Sequence, residues 1–374
     1  MLINLILNFI SLYFLAIRFI YVNIYRKSNF QTFPGFLLLK FKIDFLKLYL
    51  LKYKVPLILI TGTNGKTSTT HLLTHILKSQ GLIVLTNYSG SNLKRGLLST
   101  LILNRFKRFD YLVLEVDEGS VLDVTNSLPN TIKERYLILL NLSRDQLDRY
   151  GEVDLIASNI NKAVISKNLT LITSTSEFSH HFKNKILIDS KINVSAYSAA
   201  LDIAANPHLV NNLTFLITLI FLLKLNIDIS KISKFNLVLG RGKKFILNGY
   251  TYELHLSKNP VSFNNSLSLL ASNQVKNVLI VMNDNIPDGR DVSWFYDIDF
   301  NLIRDVLKNK NVYVAGSRSY DFYNLLKVAG LSSFNIKSFL NYTSFAEKIN
   351  ISETFILSNY SATVSITKIA EKYV

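Results

Sequence analysis

Residues 61–69, TGTNGKTST, place two glycines, a lysine and a run of hydroxyls within a few residues of one another. Gly62 and Gly65 let the backbone turn tightly enough for its amides to surround phosphate oxygens, which collect at a helix N-terminus. Lys66 is then placed to contact the β- and γ-phosphates of a nucleotide, and the Thr67 hydroxyl to ligate Mg²⁺. The loop is shorter than the usual Walker spacing, because Ile60 stands where the first glycine would be. Fifty residues on, LVLEVDEGS sets Glu115 at the end of an apolar run, with Asp117 and Glu118 just beyond. An unpaired charge on such a run is costly, so Glu115 reads as a Mg²⁺ ligand, direct or through water.

Three further stretches carry polar chemistry. TNYSGSNLKRG, 86–96, is a glycine-bearing loop suited to a substrate or phosphate contact, or to plain surface. NLSRDQLDRYGEVD, 141–154, crowds Arg144, Asp145, Asp148 and Arg149 into one loop, either a solvated helix start or a second phosphate or metal contact. MNDNIPDGRDVSWFYDIDF gathers Asp284, Asp288, Asp291, Asp297 and Asp299 around the single tryptophan. That loop lacks the EF-hand pattern with its bidentate glutamate, which argues against a Ca²⁺ site. The six histidines show no metal spacing. His71 and His75 are four apart on the expected phosphate-loop helix without a nearby third ligand, so both read as structural.

The elements that must position these residues follow from hydrophobic texture. LILIT, LIVLT, YLVLEV and YLILLNL read as buried strands separated by helical stretches, which predicts a mostly parallel sheet with helices on both faces. The apolar segment 208–227 is long enough to span a bilayer, but its Asn211, Asn212, Thr214 and Thr218 favour a buried domain helix. Near NLVLGRGKKF the chain leaves this sheet, and YTYELHL, NVLIVMND, NVYVAGS and TFILSNYS begin a second, smaller α/β set. The expected domains are an apolar N-terminal helical segment, 1–53, a nucleotide-binding domain, 54–240, and a C-terminal α/β domain, 241–374.

Composition bounds the chemistry further. The 374 residues are 49% hydrophobic and 18% charged, enough for two or three folded domains. The formal charge of +16 suits an anionic partner: nucleotide, nucleic acid or an acidic membrane surface. Zero cysteines exclude disulfides, thiolate zinc sites and a cysteine nucleophile within this chain. The N-terminal 27 residues carry no charge before Arg18, yet Asn4, Asn8, Ser11, Arg18 and Arg26 fall near one helical stripe. That stripe favours a helix lying in a membrane interface, or packed on another helix, over a spanning one.

Taken together, the motifs resemble a known family. TGTNGKTST is similar to the central domain of Mur ligases and folylpolyglutamate synthases. NLSRDQLDRYGEVD, LGRGKKF, LSKNPVSFN and NDNIPDGRDVSWFYDIDF, in order, look like the MurT family of ligase-like subunits of lipid II isoglutaminyl synthase. The resemblance implies a Mur ligase-like central P-loop domain with a smaller C-terminal α/β domain. It implies ATP- and Mg²⁺-dependent amidation of the α-carboxylate of D-glutamate in lipid II, through an acyl phosphate that ammonia displaces. It implies a partner glutaminase of the GatD type and work at the inner face of the cell membrane, with no nucleic acid involved. The C-terminal domain of the family supplies an aspartate to the glutaminase's triad; here Asp291 or Asp288 is the candidate, beside Lys66 and Glu115 as the ligase's own catalytic groups. Thr63, Asn64, Ser68, Asn141 and Arg241 complete the expected nucleotide contacts. Two departures stand out: the family's four-cysteine zinc ribbon is missing or reduced to 174–190, so no zinc is expected, and Ser143 replaces a bulkier apolar residue. An amino-acid ligase, or a non-catalytic nucleotide-binding protein at the membrane surface, are the competing readings.

Overall fold

The computed structural model describes residues 2–23, 32–88, 91–143, 153–174, 180–182, 185–188, 192–204, 206–236, 240–247, 249–289, 291–332, 336–339 and 353–373. The chain forms two compact units, residues 1–235 and 236–374.

The first unit runs α1 (Leu2–Asn23), α2 (Phe33–Lys40), α3 (Phe45–Lys52), β1 (Leu57–Thr61), α4 (Lys66–Ser79), β2 (Val84–Thr86), α5 (Lys94–Leu103), β3 (Tyr111–Glu115), α6 (Val121–Asn126), β4 (Arg135–Leu139), α7 (Val153–Lys167), β5 (Thr170–Thr173), β6 (Lys185–Leu187), α8 (Ser195–Ala200) and α9 (Pro207–Leu222). Its sheet has the order β2-β3-β1-β4-β5-β6, every pair parallel. All five residues of β1 are buried, as a strand covered on both faces requires. Leu57 and Leu59 join the core beneath α3, α5, α6 and α7, whereas α4 and α9 cover the other face. The segment 208–227 is thus largely a domain helix, with Leu213, Phe215, Leu216 and Leu219 fully buried.

The N-terminal helices are not a body apart from the nucleotide-binding domain. Leu7, Phe14, Leu38, Phe45, Tyr49 and Leu50 pack into the same core as β1. Gly35 is the tightest point of this packing: its amide donates to Ser99 Oγ at 2.9 Å, and a Cβ there would lie 1.8 Å from the Arg95 carbonyl oxygen. Helix α1 turns Leu7, Ser11 and Phe14 inward, all buried; of the polar stripe read in the sequence, Ser11 alone is buried, Asn8 is half-buried, Asn4 and Arg18 are exposed, and Arg26 lies outside the described residues. Among the described residues no helix is long and apolar enough to cross a membrane.

The second unit runs β7 (Arg241–Leu247), β8 (Tyr250–Leu256), α10 (Pro260–Ala271), β9 (Asn277–Val281), α11 (Phe300–Leu307), β10 (Asn311–Ala315), α12 (Ser319–Val328), β11 (Ile336–Phe339), β12 (Thr354–Ser358) and α13 (Tyr360–Tyr373). Its sheet order is β11-β10-β9-β12-β8-β7, parallel except for β7 against β8. Val278 and Ile280 face a core with Phe263, Phe322 and Phe355, whereas Leu279 and Val281 face Ala362 and Ile366 of α13. The KNPVS motif is a helix start: the Asn259 carboxamide accepts from the Ser262 amide at 2.9 Å, and Ser262 Oγ accepts from the Asn259 amide.

Gly35→Ala forces backbone apart at the α2–α5 contact. It is expected to destabilise the first unit by about 1–3 kcal/mol, measured by urea unfolding.

Candidate nucleotide site

The loop 62–65 leaves β1 between β3 and β4, at the carboxyl ends of the strands where the sheet order reverses. In open parallel sheets such a crevice is where ligands sit. Gly62 has φ 134° and Gly65 φ 87°, both in the region that favours glycine. Both are also packing sites: a Cβ on Gly62 would lie 2.9 Å from the Asn141 carbonyl oxygen, and one on Gly65 2.9 Å from Asn212 Nδ2. Asn212, on the buried helix α9, therefore backs the loop.

Asn141 and Ser143, just after β4, fix the loop's shape. The Thr63 amide donates to the Asn141 carbonyl at 3.0 Å, and the Asn64 amide to Asn141 Oδ1 at 2.9 Å. Asn141 Nδ2 returns a bond to the Asn64 carbonyl at 3.0 Å, while Thr63 Oγ1 donates to the Ser143 carbonyl and accepts from the Ser143 amide. Asn141, expected as a nucleotide contact, thus acts at least as the loop's brace. The N-terminus of α4 carries no side-chain cap, and Gly65 stands in the capping position. Its first-turn amides, those of Lys66, Thr67 and Ser68, are the groups a phosphate would take.

Lys66 is buried and its ammonium is 2.7 Å from Glu118 Oε2, itself buried. The ammonium also donates to the carbonyls of Gly62 and Thr63. Burial by itself would lower the lysine's pKa; the carboxylates of Glu118, then Glu115 and Asp117, outweigh it and hold the group above the ordinary lysine value. The sign is that of a cation gaining partners. Its contribution to stability is complete below the unfolded value of 10.5 and is lost only as pH rises past the folded one. Lys66 therefore stays charged across the neutral range.

Glu115 sits level with Ile60 of β1 and is buried. Two asparagines of the 86–96 loop hold it. Asn87 accepts from the Glu115 amide and donates to its carbonyl, both at 2.9 Å, and Asn92 Nδ2 donates to Glu115 Oε1 at 3.1 Å. That loop positions a carboxylate. Lys66, Glu115 and Glu118 are thus brought together, and Thr67 lies half-buried on the first turn beside them. Glu118 was legible only as an acid beyond Glu115; nothing in its spacing marks it as the lysine's partner.

A buried cation, two carboxylates and an uncapped helix N-terminus fit Mg-ATP. Lys66 and the amides complement phosphate oxygens, and Thr67 and Glu115 complement Mg²⁺. Among the described residues no group of three or more His, Asp or Glu could hold a metal alone. Mg²⁺ does not need one, because it keeps waters and binds through one or two carboxylates plus substrate phosphates.

His71 stacks on Tyr88 with centroids 4.2 Å apart, and His75 Nε2 meets the Ser233 carbonyl at 2.7 Å. Arg144, Asp145, Asp148 and Arg149 lie outside the described residues, as do most of 174–190 and the side chain of Arg241, which opens β7 in the second unit.

In the second unit the two candidate aspartates differ. Asp288 bridges the loop after β9 to the start of α13. Its carboxylate accepts from the Ser361 amide at 2.7 Å, the Ser361 hydroxyl at 2.6 Å and the Asn285 amide at 3.2 Å. Burial nevertheless pushes this carboxyl up, against the bonds from Ser361 and Asn285. Asp291 is exposed, and the Ser293 amide, donating at 2.8 Å, holds its carboxyl below the usual range.

The fold and this site define an ATP-dependent ligase of the Mur type. Residues 60–237 match the Mur ligase middle domain and residues 256–363 the MurT ligase C-terminal domain. The two matches stand in order along one chain and together take in most of it. The chain is 25% identical to the lipid II isoglutaminyl synthase (glutamine-hydrolyzing) subunit MurT of Staphylococcus aureus, over 79% of this chain and 82% of that protein. It is 24% identical to the subunit of the same name from Streptococcus pneumoniae, over 90% and 91%. In fold it is similar to the MurF ligase of Thermotoga maritima in complex with ADP, at a TM-score of 0.63 and 15% identity over 89% of this chain and 82% of that one.

Asn141→Ala removes both side-chain bonds to Asn64. It is expected to weaken ATP binding about tenfold, or ~1.4 kcal/mol, by titration calorimetry. Glu118→Ala leaves the Lys66 charge buried beside fewer partners; a loss of about 3–5 kcal/mol in urea unfolding is expected.

Proposed function

We propose that this chain is the ligase-like subunit of a lipid II isoglutaminyl synthase. It amidates the α-carboxylate of D-glutamate in lipid II with ammonia delivered by a GatD-like glutaminase. The observation that carries this reading is Lys66, held between Glu118 and the loop carbonyls beside an uncapped helix N-terminus, in a cysteine-free chain. Such a site activates a carboxylate but cannot free ammonia from glutamine by a cysteine nucleophile, so the nitrogen needs another source.

A carboxylate is a poor electrophile. Bound Mg-ATP supplies the phosphoryl group that converts one of its oxygens into a leaving group. Lys66 would meet the charge on the transferring phosphoryl oxygens, the first-turn amides of α4 would take phosphate oxygens of the nucleotide, and Thr67 and Glu115 would hold Mg²⁺. Ammonia then adds to the acyl carbon of the acyl phosphate, inorganic phosphate departs, and the surplus proton is lost, leaving the amide.

The aspartate offered to the glutaminase is Asp291. Asp288 is committed to Ser361 and Asn285, whereas Asp291 presents an exposed carboxylate kept ionised by Ser293. An anionic aspartate of this kind orients a catalytic histidine and fixes its tautomer. A lipid-linked acceptor puts the reaction at the inner membrane face.

Mass spectrometry of lipid II incubated with the chain and Mg-ATP tests the reading. Conversion of one carboxyl to an amide with ammonium, and with glutamine only when the glutaminase is present, is expected; ligation of an added amino acid instead would overturn it. Asp291→Asn should keep the ammonium-driven reaction and lose the glutamine-driven one by about 10³–10⁴-fold. Asp288→Asn places an amide where three donors converge, and is expected to cost about 1–3 kcal/mol of stability in urea unfolding.

A further inference from the structure

Helix α1 is apolar on the face it turns away from the protein. Leu7, Ser11 and Phe14 are buried against the core, whereas Leu5, Phe9, Leu12 and Phe19 are 58–72% exposed. At 1.5 Å per residue these four positions run along about 20 Å of helix. Tyr13 and Ala16 are also exposed on this helix, and Asn4 is engaged by Lys52 and Arg105. The following helix adds Phe36 and, just beyond its end, Phe41, both more than half exposed. Folded chains rarely leave so continuous an apolar strip uncovered.

The segment that carries it is strongly basic. The first 54 residues carry eight lysines and arginines against one acid, Asp44. Asp44 accepts from the Lys47 amide at the start of α3. Arg18, Lys40, Lys42, Lys47, Lys52 and Lys54 are all exposed. Ordinary amphipathic surface helices turn their large apolar residues to the protein; α1 buries Leu7, Ser11 and Phe14 there and leaves Leu5, Phe9, Leu12 and Phe19 facing out. Helix α1 packs against α3 and α5, and among the described residues no helix is long and apolar enough to cross a bilayer. An exposed apolar strip in a segment of exposed cations matches an interfacial layer of acyl chains beneath anionic headgroups.

We propose that α1, with the Phe36–Phe41 edge of α2, is an in-plane docking surface for an anionic bilayer. There Leu5, Phe9, Leu12 and Phe19 enter the acyl boundary, and exposed lysines and arginines of the same segment meet the lipid phosphates. The proposal extends the reading of a lipid-linked acceptor but stands on the surface alone, so vesicles free of lipid II test it whether or not amidation is found.

The full chain is sedimented with vesicles of phosphatidylcholine alone, or with one-third phosphatidylglycerol, at low and high salt. Binding to the anionic vesicles, weakened severalfold by 0.5 M salt, is expected. The double variant Phe9→Glu, Leu12→Glu should lose at least about tenfold in partition, with its urea midpoint without lipid unchanged. Phe9→Trp should add a fluorescence component that shifts blue on anionic vesicles and is quenched by brominated acyl chains. Absence of binding, equal binding to both vesicle types, or unaltered binding by the double variant would overturn the proposal. So would a concentration-dependent dimer that the double variant abolishes while vesicles are ignored, since the face would then meet a second copy.

Discussion

The site is organised around the cost of keeping one ammonium out of water. Lys66 is buried, and a buried charge is tolerated only when its surroundings answer it. Glu118 answers it directly, Glu115 and Asp117 through the field, and the carbonyls of Gly62 and Thr63 take its remaining donors. Each answering group needs its own support. Glu115 is held by Asn87 and Asn92, the loop carbonyls are aimed by positive-φ glycines, and the glycines are pressed from behind by Asn141 and Asn212. The parallel sheet makes this possible by delivering the ends of β1, β3 and β4 side by side.

The same requirement explains an unusual helix. α4 is rich in threonine yet mostly buried, which would strand several hydroxyls. Thr69, Thr70 and Thr74 instead donate to the carbonyls of Gly65, Lys66 and Thr70, four residues back. The helix can then lie between the sheet and α9 with those hydroxyls satisfied, and its N-terminus stays fixed beside the Lys66 cluster.

Much of this was legible in the sequence, and the limits have physical reasons. Buried parallel strands write themselves as unbroken apolar runs, so LILIT and YLVLEV were plain, and the loop between strand and helix identified Lys66 and Thr67. Glu118 was not legible as a partner, because the pairing depends on how a short turn after β3 bends back over the loop. Asp288 and Asp291 are three residues apart in one acidic segment. Only the return of α13 beside β9, placing Ser361 against Asp288, separates a structural aspartate from an exposed one. The polar stripe of α1 does not act as one face: Ser11 is buried while Asn4 and Arg18 are exposed, since periodicity states that faces differ and not which residues meet the protein.

One feature of the second unit bears on how such a chain survives its own assembly. A mostly parallel sheet forms from contacts distant in sequence, so its edges stay open while the rest of the chain collapses. Among the described residues β7 is an edge strand of its sheet, paired antiparallel with β8, with a register shift between Arg241 and Lys243 and with Lys244 exposed. A kinked edge bearing a solvated cation is a poor template for a second strand. The RGKKF segment thus also acts as a guard against strand-by-strand aggregation, in a protein whose composition, nearly half hydrophobic, would otherwise favour it.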